Sequence, residues 1–390
     1  MVRATGTYVE STTLGEVVKA FVPHSLPPQR PTLALEAFQN LNHKAEMALA
    51  RLSGVSALVP SVDWLLYSAI RKEALLTSQI EGTQATITDL FDDEAGLAVS
   101  NTDDVEEVTN YIGAYRLVRE NLRDPKGLPI SVRLLCKAHK LLLNGVRGAG
   151  KQPGALRRSQ NWLGGTKPGN AVFVPPPADK LPTLMSDLEK FIHDHPRKTK
   201  EATGKGLPPL VVIALAHAQF ETIHPFLDGN GRIGRLLISA LLEDLGLLPE
   251  PLMYLSGYLK QHQTEYYRLL SAIRMEGDWE SWVKFFLEGV QVAANQAEEN
   301  IVKIASLVAS DRRKLLESPK GGAAAYRLFE LLPIMPRFNV ERVKTALGTT
   351  FPTANAAVKA LEELSLITET TGNKKNRSFS YERYINLLSV

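Results

Sequence analysis

Twelve consecutive residues of the 390-residue chain, His224-Pro225-Phe226-Leu227-Asp228-Gly229-Asn230-Gly231-Arg232-Ile233-Gly234-Arg235, gather the groups that phosphate chemistry needs. A histidine such as His224 has the ordinary pKa of a group that accepts a proton near neutral pH. Asp228 offers hard oxygen ligands suited to Mg²⁺, a cation that commonly bridges nucleotide phosphates. Gly229 and Gly231 flank Asn230 and let the backbone approach a ligand closely, with φ > 0 available at both. A helix opening at about Arg232 would aim its free N–H groups and its positive dipole end at the same point, an anion site. Arg232 and Arg235 lie one turn apart on one face, so both guanidiniums reach phosphate oxygens. Each feature alone fits a surface turn; together they predict a base, a metal carboxylate and a phosphate cradle in one loop.

Helices must hold such a loop, and the periodicity predicts them on both sides, over residues 208–222 and 232–245. Residues 1–31, rich in Pro and Thr, read as an extended arm. Leu33, Leu35, Phe38, Leu41 and Leu49 recur at helical spacing, and further helices are expected over 62–81, 103–122, 131–143, 181–193, 258–275 and 279–316. In Thr77-Ser78-Gln79-Ile80-Glu81-Gly82, Thr77 and Glu81 share a helix face just before the stop at Gly82. A carboxylate near a helix C-terminus is electrostatically disfavoured and invites a cationic partner elsewhere. Residues 145–154 break the helical texture with four glycines and a proline. Two short extended runs, around 157–163 and 171–174, then predict a β-hairpin, the one strand pair expected in the first 300 residues. After Pro319 a small unit of three helical patterns and two short strands reads as a winged helix. The expected fold class is mainly α.

The loop at 224–235 resembles the signature of the Fic family, His-Pro-Phe-x-(Asp/Glu)-Gly-Asn-Gly-Arg-x-x-Arg, with every fixed position present. The resemblance implies a helical core that transfers AMP from ATP to a hydroxyl of a protein, with ATP and Mg²⁺ as partners of the site. By resemblance His224 is the base, Asp228 the metal ligand, and Gly229, Asn230, Gly231, Arg232 and Arg235 the phosphate loop. Gly231 separates this chain from members similar to the Doc toxins, which carry Lys there and transfer phosphate. The segment Thr77–Gly82 looks like the family's inhibitory motif (Ser/Thr)-x-x-x-Glu-(Gly/Asn). It implies that Glu81 pairs with Arg235 and denies it to the γ-phosphate. Arg158-Ser159-Gln160-Asn161-Trp162-Leu163-Gly164 resembles the flap over the active site, which registers the target segment by β-augmentation, with Asn161, Trp162, Leu163 and Gly164 bordering the nucleotide. Tyr266 is similar to an adenine or ribose contact. Some family members remove AMP instead, with the glutamate orienting a water. That is the alternative activity.

The expected domains are 1–105 with the inhibitory helix, 106–300 as the catalytic core, and 320–390 as the winged helix. Residues 145–151 fit G-x-x-x-x-G-K, but Gln152 stands where Ser or Thr should bind Mg²⁺, and a helical run rather than a strand precedes them. The stretch is therefore read as no P-loop. His217 sits in an apolar helix and reads as a core histidine, and Arg197–Lys200 as a solvated loop. With 45 Lys+Arg against 42 Asp+Glu the net charge is +3, too balanced to announce nucleic acid. Residues 321–390 carry nine basic and six acidic residues, so a DNA-binding regulator remains the competing class. Lys374, Lys375 and Arg377 on the wing would then touch phosphate. One cysteine excludes an intramolecular disulfide framework. No apolar run approaches the ~20 residues of a spanning helix, and the start lacks the apolar region of a secretory leader. A cytoplasmic homodimer acting on a protein target is expected.

Overall fold

The computed structural model of the chain describes residues 3–56, 59, 61–201, 206–319 and 321–389, and only the backbone of 195–201. It opens with two antiparallel strands, β1 (Gly6–Thr13) and β2 (Glu16–Pro23), paired from Gly6↔Pro23 to Thr13↔Glu16. Leu14 and Gly15 turn the corner with φ of 51° and 80°, the two-residue geometry that matches strand twist. The arm expected to be merely extended is thus a hairpin. Its β-branched residues alternate between an exposed face and one that buries Val18 and Ala20.

The helices that follow are α1 (Gln39–Val55), α2 (Val62–Ile80), α3 (Ile87–Glu94), α4 (Thr102–Arg123) and α5 (Val132–Leu142). Ser61 caps α2 by accepting from the Asp63 N–H, and Thr86 with Asp89 forms a capping box on α3. Leu33 and Leu35, expected in a helix, precede α1, and Leu35 lies in a short 3₁₀ turn. Next come α6 (Leu181–Glu201), α7 (Pro209–Ile223), α8 (Asn230–Asp244), α9 (Leu255–Gln261), α10 (Gln263–Glu276) and the 38-residue α11 (Trp279–Leu316). The backbone of 197–200 continues α6, so the predicted loop there is helix. The single helix predicted over 258–275 is two, α9 and α10, meeting at His262.

α7 is apolar all round, and every residue from Leu210 to Ile223 is buried, which makes it the axis of the core. α6, α8, α10 and α11 pack around it, and Trp282 of α11 donates its indole N–H to the Ala214 carbonyl at 2.8 Å. The loop between α7 and α8 is thereby held between two buried helices.

The predicted hairpin at 157–174 is less regular than expected. It closes through one bridge, Leu163↔Phe173, because Gly164-Gly165 and Pro168 interrupt pairing on one side and three prolines on the other. The β1–β2 pair extends it instead, through the Phe21 N–H on the Val174 carbonyl at 2.9 Å.

The C-terminal residues form α12 (Ala323–Leu331), β3 (Arg337–Asn339), α13 (Val340–Leu347), α14 (Phe351–Glu363), β4 (Thr368–Glu369), β5 (Ser378–Ser380) and α15 (Glu382–Ser389), with the strands ordered β3-β5-β4. Arg337 grips Asp92 of α3, donating Nε to Oδ1 at 2.6 Å and Nη2 to Oδ2 at 2.8 Å. Tyr381 and Arg383 both donate to the buried Asp311 of α11, at 2.8 and 2.6 Å. Fold class is mainly α, as expected.

Candidate active site

His224 ends α7 in the left-handed conformation, φ 50° and ψ 61°, a strained backbone for a non-glycine residue. Arg157 holds it there. This guanidinium, 2% exposed, donates Nε to the His224 carbonyl at 2.9 Å, Nη1 to Ser159 O at 3.1 Å and Nη2 to Pro176 O at 2.5 Å. Its backbone N–H also reaches the Pro225 carbonyl at 2.9 Å. One buried cation therefore knits the flap segment to the signature loop. The charge also acts on the imidazole. Burial first, then the charges of Arg157 and Arg274, push the His224 pKa down to about 3. The ring is consequently neutral at pH 7, and its Nδ1 is buried with no hydrogen-bond partner.

Asn230 closes the loop. Its amide accepts from the Phe226 N–H and donates to the Phe226 carbonyl, both at 2.8 Å, so its side chain shapes the turn. Gly229 caps α8 at φ 75°, and the first turn of α8 points its free N–H groups into the loop. His139 of α5 supports this corner. The Gly154 N–H donates to His139 Nδ1 at 2.8 Å, which leaves the proton on Nε2 for the Asp228 carbonyl at 3.0 Å. The imidazole stacks on Phe226, centroids 3.9 Å apart, and burial lowers its pKa to about 4.

Asp228 is half-exposed; its Oδ1 accepts from the Gly229 N–H at 2.6 Å and lies 3.7 Å from Arg232 Nη2. Among the described residues no three His, Cys, Asp or Glu side chains cluster as a metal cage. One accessible carboxylate beside a helix N-terminus fits Mg²⁺, which takes one or two carboxylates and leaves its other positions to phosphates and water.

Both signature arginines are buried, and each meets a carboxylate. Arg235 donates Nη2 to Glu81 Oε1 at 2.5 Å, Nε to Thr77 Oγ1 at 2.6 Å and Nη2 to the Thr77 carbonyl at 3.1 Å. A Cβ at Gly231 would collide with Glu81 Oε1, so the carboxylate lies directly over the glycine-rich turn that opens α8. Burial would raise the Glu81 pKa, but the Arg235 charge and hydrogen bond outweigh it and hold the carboxyl below its ordinary value. Arg232 donates Nη1 to Glu107 Oε2 of α4 at 3.0 Å.

The other expected contacts divide. Asn161 reaches the loop through Nδ2 on the Phe226 carbonyl at 3.3 Å, and Gly164 is exposed at the flap tip with φ 66°. Leu163 makes the flap bridge, while Trp162 packs against Val18, Ala20 and Val174 beneath the hairpin. The structure places Tyr266 in the core, 1% exposed, its hydroxyl 2.8 Å from His217 Nε2. Its neighbour Tyr267 faces outward. His217 is a core histidine, with Nδ1 on the Gly234 carbonyl at 3.0 Å and a pKa lowered to about 3 by burial. Glu107, His139, Arg147 and Arg157 escaped the sequence reading. Only Arg157 left a signal, a cation opening an otherwise extended run.

Residues 39–120 match the profile described as "Fic/DOC family N-terminal", and residues 129–242 match "Fic/DOC family", together about half of the chain. The chain is similar to a "Protein adenylyltransferase Fic" from Drosophila yakuba, 31% identical over 161 residues, 41% of this chain and 28% of that protein. The Drosophila melanogaster counterpart is 30% identical over the same length. The chain thus spans about 28% of the length of these curated relatives. Among solved structures it resembles a Fic family protein from Desulfovibrio desulfuricans G20 with a TM-score of 0.56 at 22% identity, over 90% of this chain and 97% of that one. It also resembles Fic-1 from C. elegans, TM-score 0.51 at 18% identity, over 69% of this chain and 74% of that one. With the complete signature folded between α7 and α8, and profile matches running from α1 into α8, the chain belongs to the Fic/DOC family.

Proposed function

We propose that the protein transfers AMP from ATP to a Ser, Thr or Tyr hydroxyl of a protein, itself included, and restrains this activity through Glu81. The observation that carries the reading is the Glu81 carboxylate on Arg235, above Gly231, where a γ-phosphate would sit. Without that carboxylate, Arg235, Arg232 and the α8 N-terminus form a cationic cradle for the triphosphate. The acceptor oxygen bonds to the α-phosphorus, the bond from that phosphorus to the bridging oxygen breaks, and pyrophosphate leaves. His224 takes the hydroxyl proton; its neutral ring is in the form that accepts one. Mg²⁺ on Asp228 would offset the phosphate charge. Arg157 keeps the imidazole aimed, and the flap edge around Leu163 aligns the acceptor segment.

A second reading, removal of AMP with Glu81 orienting a water, is favoured by the part-exposed Glu81 carboxylate, 32% accessible even while paired. We read 320–390 as a winged helix that docks protein. Of the cations expected to touch DNA phosphate, Arg377 is partly neutralised by Glu362 at 3.7 Å. No described helix is long and apolar enough to cross a membrane.

Incubating the Glu81→Gly protein with ATP labelled on either the α- or the γ-phosphate tests the reaction. AMP transfer predicts that only the α-label enters protein. Incorporation of the γ-label would mean phosphate transfer and would overturn the reading.

A further inference from the structure

We propose that Glu107 is a positioning residue that holds Arg232 and Arg147 as paired phosphate donors beside Asp228, which makes Arg147 a nucleotide ligand. The inference rests on the nucleotide reading above and extends it to a loop that the signature does not include.

Glu107 presents one oxygen to each of two guanidiniums. Oε2 accepts from Arg232 Nη1 at 3.0 Å, and Oε1 lies 3.4 Å from Arg147 Nε. One negative charge thus orients two positive ones, and the trio keeps an excess of positive charge. Arg147 sits on the glycine-rich loop 145–154, the stretch whose spacing mimics a P-loop. The structure brings that loop to the site by another route. A Cβ at Gly148 would lie 2.9 Å from Asp228 Oδ2, so the backbone beside Arg147 is packed against the metal carboxylate. Arg147 also donates Nη2 to the Glu81 carbonyl at 3.4 Å, at the end of α2.

Two features separate this arrangement from ordinary stabilisation. An ion pair whose cation is 63% exposed contributes little to stability, so folding energy does not account for Arg147 lying here. Glu107, in contrast, is 5% exposed. A phosphate cannot displace it from Arg232 without leaving a buried carboxylate unpaired, which is strongly unfavourable. Glu107 therefore stays while nucleotide binds. The exposed guanidinium of Arg147 is free to turn toward phosphate oxygens next to Asp228.

The test uses the full chain carrying Glu81→Gly, with ATP binding measured by calorimetry and KM and kcat for AMP transfer measured in parallel. Glu107→Gln should raise the KM for ATP roughly tenfold and Arg147→Ala about three- to tenfold, with kcat changed less, because charge-assisted contacts to phosphate are lost. Arg147→Lys should recover part of that loss, and the double variant should fall short of the product of the singles, as expected for coupled groups. Tighter ATP binding or faster transfer by Glu107→Gln would make Glu107 a second competitor of phosphate and overturn the proposal. An unchanged KM in Arg147→Ala would overturn it as well, and that exposed substitution decides the matter if Glu107→Gln fails to fold. If the Glu81→Gly parent itself binds no ATP, the nucleotide reading fails; if the parent binds and these variants match it, only this inference fails.

Discussion

Two arginine–carboxylate pairs stand one helical turn apart on α8, and they differ in what water can reach. Arg232 and Arg235 each keep 2% of their side-chain surface, but Glu107 keeps 5% and Glu81 keeps 32%. Glu107 comes from α4 and is enclosed by the core. Glu81 is the cap residue of α2, at the end of a helix where a carboxylate is disfavoured by the dipole. The first pair is a fixture, since breaking it strands a buried charge. The second is the proposed brake: without its acid, Arg235 would keep Thr77 Oγ1 and the Thr77 carbonyl as partners. On the proposed reading, identical chemistry gives a permanent support in one place and a displaceable competitor in the other, and accessibility of the carboxylate separates the two.

If both pairs act only on the nucleotide, loss of the base must cost more than loss of either. In the Glu81→Gly protein, His224→Ala should keep ATP affinity and lose at least ~10²-fold in AMP transfer, the low end for a general base. Transfer within a few-fold of the parent would remove His224 from the chemistry. Because its pKa is held near 3, the acid limb of the rate profile should not show a histidine titrating near 6.5. Arg235→Ala would remove both the proposed brake and the proposed phosphate contact. It should weaken ATP binding by ~1.5–3 kcal/mol, and adding Glu81→Gly should restore nothing. Recovery of activity in that double variant would break the assignment of Arg235 as a ligand.

A smaller effect sharpens the contrast. Facing α8 near Arg235 lies another buried carboxyl, Glu221 of α7, whose Oε1 has no hydrogen-bond partner. Burial raises its pKa from 4.5 to about 7, against the pull of Arg235. A folded-state pKa above the unfolded one contributes stability that is full below 4.5 and is lost as pH rises through about 7. Glu221→Gln should therefore gain on the wild type in melting temperature between about pH 5 and about pH 8, by roughly 2–4 °C. A constant difference across that range would mean that Glu221 does not titrate in the folded protein.

The proposed base, metal carboxylate, phosphate loop and inhibitory glutamate could be named as candidates because they lie in short contiguous motifs. The meeting of Glu81 with Arg235, 154 positions apart, was legible only through the family resemblance. Glu107 and His139 were not, since a buried charge or imidazole gains its meaning from long-range packing that spacing does not encode. The β1–β2 hairpin was missed for a different reason. Pro23, Pro27, Pro28 and Pro31 dominate the arm, while the turn signal at Leu14-Gly15 and the run Glu16–Pro23 were there to be read. The flap erred in the other direction, because glycines and prolines that mark a turn also prevent pairing beyond one bridge.

The brake is the claim on which the rest depends, and one comparison addresses it directly: initial rates of α-labelled AMP incorporation by wild type and by Glu81→Gly, at equal ATP and Mg²⁺. A competition worth ~2–3 kcal/mol predicts that the variant is faster by roughly 30- to 150-fold, self-modification included. A folded Glu81→Gly protein no faster than wild type would contradict the account.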